Sequence, residues 1–320
     1  MPRQIRLALW GTYNAGFLFV VIAAAMSVCG CSRPAQTATP SLPAPIEYLG
    51  TWGSHGEGPG QFDHPVAIAA DSESIIYIAD VGSGFIHKFS GNGEPRLSFQ
   101  DDRFDLHLLD VAVDAGGAIY AADDKRAMVV IFLPDGKHHR QIRAGTPTLT
   151  RDSMRIAVDS SGGIYITAKR PFGVRRYSPA LRMIGSWGGT TASGAVIENP
   201  SAIAVAPDGL VYVSESAQPQ IHVFDTQGKL QRALSTPAEP GAPPLTGLAA
   251  NAKYLFAVSA AHPSVYVWAL DGTYRLAQDL SPWVPGSDSS VPRKIAVTPA
   301  GDLLVLDTAA ARVFRFRLHL

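Results

Sequence analysis

The chain has 320 residues, of which 46% are hydrophobic and 17% charged. That is enough apolar material for a packed core and excludes a disordered, heavily solvated polymer. Formal charge is zero, and past the first thirty residues 25 basic side chains face 27 acidic ones, so no global field draws in nucleic acid.

The two cysteines are Cys29 and Cys31. A disulfide within the body of the chain and a zinc site built on thiolates are therefore both excluded. Residues 1–6 read MPRQIR, the stretch from Leu7 to Met26 is almost wholly apolar, and Val28-Cys29-Gly30-Cys31 follows. A positive segment, an apolar segment and a small residue before a cut are the parts of a secretory signal. The ending resembles a bacterial lipobox, which implies cleavage after Gly30 and a lipid on Cys31; Val28 is too large to suit a cut before Cys29. Ser32, where an Asp would act as a retention signal, resembles lipoproteins sent on to the outer membrane. The alternative is an uncleaved anchor, since about 20 apolar residues span a bilayer. Either way the expectation is an extracytoplasmic, membrane-held protein. On the lipobox reading it is lipid-anchored at the outer membrane and faces the periplasm.

Residues 1–30 are thus expected to be a signal peptide and 31–45 a tether. The SRPAQTATPSLPAP run at 32–45 cannot form a core, and in polyproline II, at roughly 3.1 Å per residue, it reaches about 40 Å.

From residue 46 onward three short apolar signatures recur in register. The first reads AIAAD at 67–71, VAVD at 111–114, IAVD at 156–159, IAVA at 203–206, LAAN at 248–251 and IAVT at 295–298. The second includes IYIAD at 76–80, IYAAD at 119–123 and VYVSE at 211–215. The third closes on an aromatic at Phe89, Phe132, Tyr177, Phe224, Trp268 and Phe316, spaced 43 to 48 residues apart. Turn formers such as Asp114-Ala-Gly-Gly117 separate them, and a fourth, edge-like segment follows in five units, for example Leu181–Trp187. Four-stranded units of roughly 45 residues have the dimensions of propeller blades.

The spacing predicts an all-β, six-bladed β-propeller over 46–320, with blades at 60–99, 105–143, 150–187, 196–234, 243–280 and 290–320. The sixth unit lacks a fourth strand, and Ile46–Trp52 is a spare one of matching type. The expectation is that this N-terminal strand completes the last blade and leaves no open edge in the ring.

The segment Gly53-Ser-His-Gly-Glu-Gly-Pro-Gly-Gln-Phe62-Asp-His-Pro65, followed by IAAD, IYIAD and IHKF, resembles an NHL repeat. Asn199-Pro-Ser-Ala-Ile-Ala-Val is the next best copy. The family's usual Asn and Arg after the second strand are nearly all lost, with Arg312 surviving. Family members that bind RNA use a strongly basic face, and this neutral chain gives no support for that activity.

Propeller ligands sit at one mouth of the channel, beside the leads into first strands and the exits from second strands. Leads align at His64, His107, Asp152, Asn199, Pro244 and Val291, with Asp110, Arg155 and Lys294 set further in; exits supply Asp80, Asp123, Glu215 and Asp307. The expected ligand mouth comprises Asp110, Arg155, Asn199, Glu215 and Lys294. His64, His107 and Asp152 are a candidate divalent-metal set, against a plainer reading of His64 as a turn residue and His107 as a surface polar group. Such a metal site would be similar to that of six-bladed lyases that cleave peptidyl-hydroxyglycine.

No serine elbow, phosphate-binding loop or zincin helix occurs. The expected function is therefore a tethered binding or scaffold module for an envelope protein or a small ligand, without a required cofactor and without nucleic acid. The alternative is a metal-dependent lyase or lactonase.

Overall fold

The structure, a computed structural model, describes residues 45–146, 153–169, 172–189, 197–216, 220–236, 244–259, 262–284 and 292–319. The chain divides into two compact units, Met1–Leu42 and Pro43–Leu320. The first, with Cys31 and the apolar 7–26 stretch, lies outside the described residues, and among those that are described no helix is long and apolar enough to cross a membrane.

Every described element is a strand, and the strands form six antiparallel four-stranded sheets. Blade one holds β2 (Pro65–Ala70), β3 (Ile76–Asp80), β4 (Ile86–Phe89) and β5 (Pro95–Phe99). Blade two holds β6 (Leu108–Val113), β7 (Ile119–Asp123), β8 (Met128–Phe132) and β9 (His138–Arg143). Blade three holds β10 (Arg155–Val158), β11 (Ile164–Ala168), β12 (Gly173–Tyr177) and β13 (Met183–Trp187). Blade four holds β14 (Pro200–Val205), β15 (Val211–Glu215), β16 (Gln220–Phe224) and β17 (Leu230–Ser235). Blade five holds β18 (Leu245–Ala250), β19 (Tyr254–Ser259), β20 (Ser264–Ala269) and β21 (Tyr274–Asp279).

Blade six is made from both ends of the unit: β22 (Pro292–Val297), β23 (Asp302–Asp307) and β24 (Arg312–Leu318), with β1 (Ile46–Trp52) outermost. β1 pairs with β24 from Ile46↔Leu318 to Trp52↔Val313, with a bulge at Tyr48/Gly50. Each first strand packs on the first strands of both neighbours, and β22 returns to β2. This is a closed six-bladed β-propeller, as the repeat spacing requires.

Alternation explains why the blades stack. Ala67, Ala69, Tyr77 and Ala79 of blade one pack with Val111, Ile119 and Ala121 of blade two. Ile68, Ile76 and Ile78 of blade one face the other way, onto Ala296, Leu304 and Leu306 of blade six. Period-two side chains thus feed two interfaces at once.

The fourth strands interlock with the next blade's last turn. Trp52 lies on Gly93, Phe99 on Gly136 and Trp187 on Gly228, each glycine at a φ of 83–85°. In blade three this turn position is Leu181, at a φ of 63°. Its amide donates to Ser178 O, and Ser178 N–H donates to Arg182 O, so Leu181 belongs to the turn and the expected Leu181–Trp187 strand begins at Met183.

Below the channel a further device recurs. Asp71, Asp114 and Asp159 each end the first-strand segment, accept backbone N–H groups from their own turn and receive the hydroxyl of Tyr77, Tyr120 or Tyr165. Burial first, then the adjoining carboxylate, pushes the Tyr77 and Tyr120 hydroxyls far up. Tyr165 is raised to about 12 by burial, with Arg176 opposing and Asp159 reinforcing.

Candidate functional site

The six first strands place one residue each at the same register level: Ala67, Asp110, Arg155, Ala202, Gly247 and Lys294. Each is paired with the residue just before a second-strand exit. One step further down the wall, two residues along each strand, all six positions are alanine, from Ala69 and Ala112 to Ala296. A charged level therefore sits above an apolar neck. Blades three and six stand opposite each other in a ring of six, so Arg155 and Lys294 come from opposite walls.

Two cavities meet at Lys294. The channel cavity is lined by Asp110, Lys294 and the alanine level. The mouth cavity, of about 310 Å³, is lined by Arg155, Asn199, Ser216, Thr246, Lys294 and Thr308, with Val66, Leu109 and Pro200 as apolar wall. Four of the five expected mouth residues thus fall on these two cavities: Arg155, Asn199 and Lys294 above, Asp110 and Lys294 below.

The side chains are held from the backbone. Asp110 Oδ1 accepts Val111 N–H at 3.1 Å, and Oδ2 accepts Ile156 N–H of the next blade at 3.1 Å. Arg155 donates from Nε to Ser201 O at 2.7 Å and from Nη1 to Met154 O at 2.8 Å. Lys294 has no hydrogen-bond or ion-pair partner among the described residues. Burial pushes its ammonium down to about 8, the Arg155 charge pushes in the same direction, and Asp110 opposes. Thr246 Oγ1, on the mouth wall, is buried without a hydrogen-bond partner among the described residues.

The fifth expected residue, Glu215, does not join them. Its carboxylate accepts Glu198 N–H at 3.2 Å and lies 3.8 Å from His222 Nε2. Burial lowers the His222 basicity and Glu215 partly offsets this. Asp80 is its counterpart in blade one: fully buried, it accepts the amides of Asp63, His64, Gly82 and Ser83, with His87 Nε2 at 3.6 Å. Burial alone would raise Asp80, but the nearby His87 imidazole and these amides outweigh it and hold the carboxyl well below the usual range. Asp307 likewise accepts Ala309 and Ala310 N–H. These exit carboxylates tie loops to the ends of second strands.

Of the candidate metal set, His64 is largely exposed and its Nδ1 lies 3.0 Å from its neighbour Asp63. His107 Nδ1 lies 2.8 Å from the buried Asp124. Asp152 lies outside the described residues. Among the described residues no group of three or more His, Cys, Asp or Glu is placed to hold a metal ion.

Two features escaped the sequence reading. Thr246 is silent because its orphaned hydroxyl is a matter of three-dimensional surroundings. The pairing of His87 with Asp80 and of His222 with Glu215 had a usable signal: in both blades the histidine follows the carboxylate by seven residues.

No known protein family's sequence pattern matches the chain, and no curated protein matches it. Solved structures do. A streptogramin B lyase superposes with a TM-score of 0.58 at 11% identity, covering 86% of this chain and 97% of that one. A virginiamycin B lyase from Staphylococcus aureus gives 0.58 at 11% identity, with 80% and 95% covered. A gluconolactonase from Xanthomonas campestris gives 0.60 at 16% identity, with 82% and 88% covered. At such identities the likeness shows the fold, and the fold is the β-propeller.

Proposed function

We propose that this protein is a ligand-binding module of the cell envelope: an NHL-type propeller, lipidated at Cys31 and held at the outer membrane, facing the periplasm. On this reading its channel mouth takes a small ligand, and its rim loops present that mouth to an envelope protein. The observation that carries the reading is the convergence of Arg155, Asn199 and Lys294 on one mouth cavity above the alanine neck. Its volume is at the small end of the range for ligand pockets. The neck gives the cavity a floor, as a receptor requires.

The chain also enters the propeller away from this mouth. First strands run from the mouth to the far end; β1, a fourth strand, runs the opposite way and starts at Ile46 on the far side. The metal-dependent enzyme reading has no comparable convergence among the described residues, since His64 and His107 are each engaged by a carboxylate of their own.

Two experiments test the reading. Protein taken from native membranes in mild detergent and then denatured should release a small molecule, identified by mass spectrometry. A Thr308→Trp variant, which fills the mouth, should release none, and identical profiles from both would overturn the small-ligand reading. Separately, Cys31→Ser should move the protein from the membrane pellet to the soluble fraction; retention in the pellet would overturn the lipid tether.

A further inference from the structure

We propose that blade one carries a second site, a Ser98–His87–Asp80 triad that hydrolyses carboxylic esters in a cavity on the blade's outer part. The cavity measures about 680 Å³ and shares no lining residue with the mouth cavity, so this activity is separate from ligand binding at the mouth.

Strand register brings the three groups together. Asp80 ends β3, His87 lies on β4 and Ser98 on β5. His87 is the cross-strand partner of both Ile78 and Ser98. Asp80 stands two residues beyond Ile78, so alternation sends all three side chains to one face. His87 Nε2 lies 3.6 Å from Asp80 Oδ2 and is buried without a hydrogen-bond partner among the described residues. The carboxylate favours the imidazole proton on that nitrogen, which leaves Nδ1 to accept from Ser98 Oγ at 2.8 Å. At 3.6 Å Asp80 acts on the ring by charge, a spacing that tightens when substrate binds.

Both partners of the serine are fixed in place. Asp80 is held by the amides of Asp63, His64, Gly82 and Ser83 and stays ionised. Phe62 stands edge-on to the His87 ring with centroids 5.5 Å apart, and Phe85 stacks on it at 6.1 Å. Ser98, by contrast, is exposed on the cavity wall.

Blade four is an internal control. Glu215 and His222 repeat the carboxylate–histidine pair at 3.8 Å, but the residue opposite His222 is Ala233. A histidine that only steadies an exit loop needs no hydroxyl, and blade one adds one where a cavity opens.

In the reaction, Ser98 Oγ attacks the ester carbonyl carbon while His87 Nδ1 takes its proton. The bond to the alcohol oxygen breaks, and the alcohol leaves with that proton. Water, deprotonated by the same nitrogen, then releases the acid and restores the serine. Arg96, two residues before Ser98 on β5, lines the same cavity and supplies the positive charge for the oxyanion. Its own pairing with Glu94 is long, at 3.8 Å, and well exposed. Pro59, Phe85, Pro95 and Leu97 form apolar wall, which selects an apolar acyl chain.

The test uses the full-length protein in detergent, with p-nitrophenyl butyrate as substrate and a fluorophosphonate as covalent probe, from whose phosphorus the serine oxygen displaces fluoride. Hydrolysis should exceed the buffer rate, and peptide mass spectrometry should place the label on Ser98. Ser98→Ala, at an exposed position, should abolish both and keep the melting temperature. His87→Gln should slow both at least about a hundredfold, and Arg96→Gln should slow hydrolysis at least about tenfold. Asp80→Asn, assayed well below its melting temperature, should lower kcat at least about tenfold with KM unchanged, whereas a purely structural aspartate would lower the melt alone.

No hydrolysis above buffer, no label on Ser98, or hydrolysis that survives Ser98→Ala would overturn the proposal. So would labelling that His87→Gln leaves untouched, or an unchanged kcat in Asp80→Asn.

Discussion

Gly228 sits at a φ of 85°, and a Cβ built on it would stand 2.5 Å from the Trp187 indole. Gly301 has nearly the same φ, 86°, with nothing within 4 Å. The pair separates backbone strain from crowding. Gly301→Ala should cost about 1–2 kcal/mol, the left-handed penalty alone. Gly228→Ala should add roughly 1–3 kcal/mol of overpacking. Thermal melts of the two variants would show it, and equal losses would remove Trp187 as the cause.

Asp80 makes a second prediction at this scale. Its folded carboxyl is held below its unfolded value, so its stabilisation is complete above the unfolded value, near 3.9, and drains away as pH falls towards the folded one. Asp80→Asn removes a buried charge that four amides address. It should lower stability at pH 7 by about 2–4 kcal/mol and flatten the acid limb of a pH–stability curve, measured by urea unfolding.

Among the elements, β1 carries the most. Its Ile46 is 2% exposed, and Trp52 packs on Gly93 of blade one, so the strand seals both the last blade and its junction with the first. Deleting Ile46–Trp52 should lower the melting temperature by roughly 10 °C or more and leave β24 as a bare edge that promotes association. Calorimetry and light scattering would read the two effects, and an unchanged melt would show that the ring does not depend on this strand.

Strands of this kind are plain in the sequence because each buries both faces, so Val, Ile and Ala crowd into runs such as IAVD or IYIAD. Turn geometry is less plain: Leu181 reads as strand by its side chain, whereas the backbone uses it where other blades use glycine. The tyrosine buttresses stayed hidden because Asp71, Asp114 and Asp159 meet their tyrosines through cross-strand register, six residues on.

At the level of the whole ring, the charged members of the mouth were legible. Aligning repeats puts Asp110, Arg155 and Lys294 in one column, and a closed ring turns a column into a level. Glu215 shows the limit of that logic, since an exit residue of similar height points into its own loop and meets Glu198 N–H and His222.

The two-ended sixth blade also bears on how the protein is made. Thr51 donates to Val313 O across 262 positions of chain, so an emerging polypeptide can stack its early blades but cannot shut the circle until Val313 has been made. Contacts this distant slow folding. Until β24 arrives the polypeptide is an open arc, and it takes its finished shape only when that strand pairs with β1.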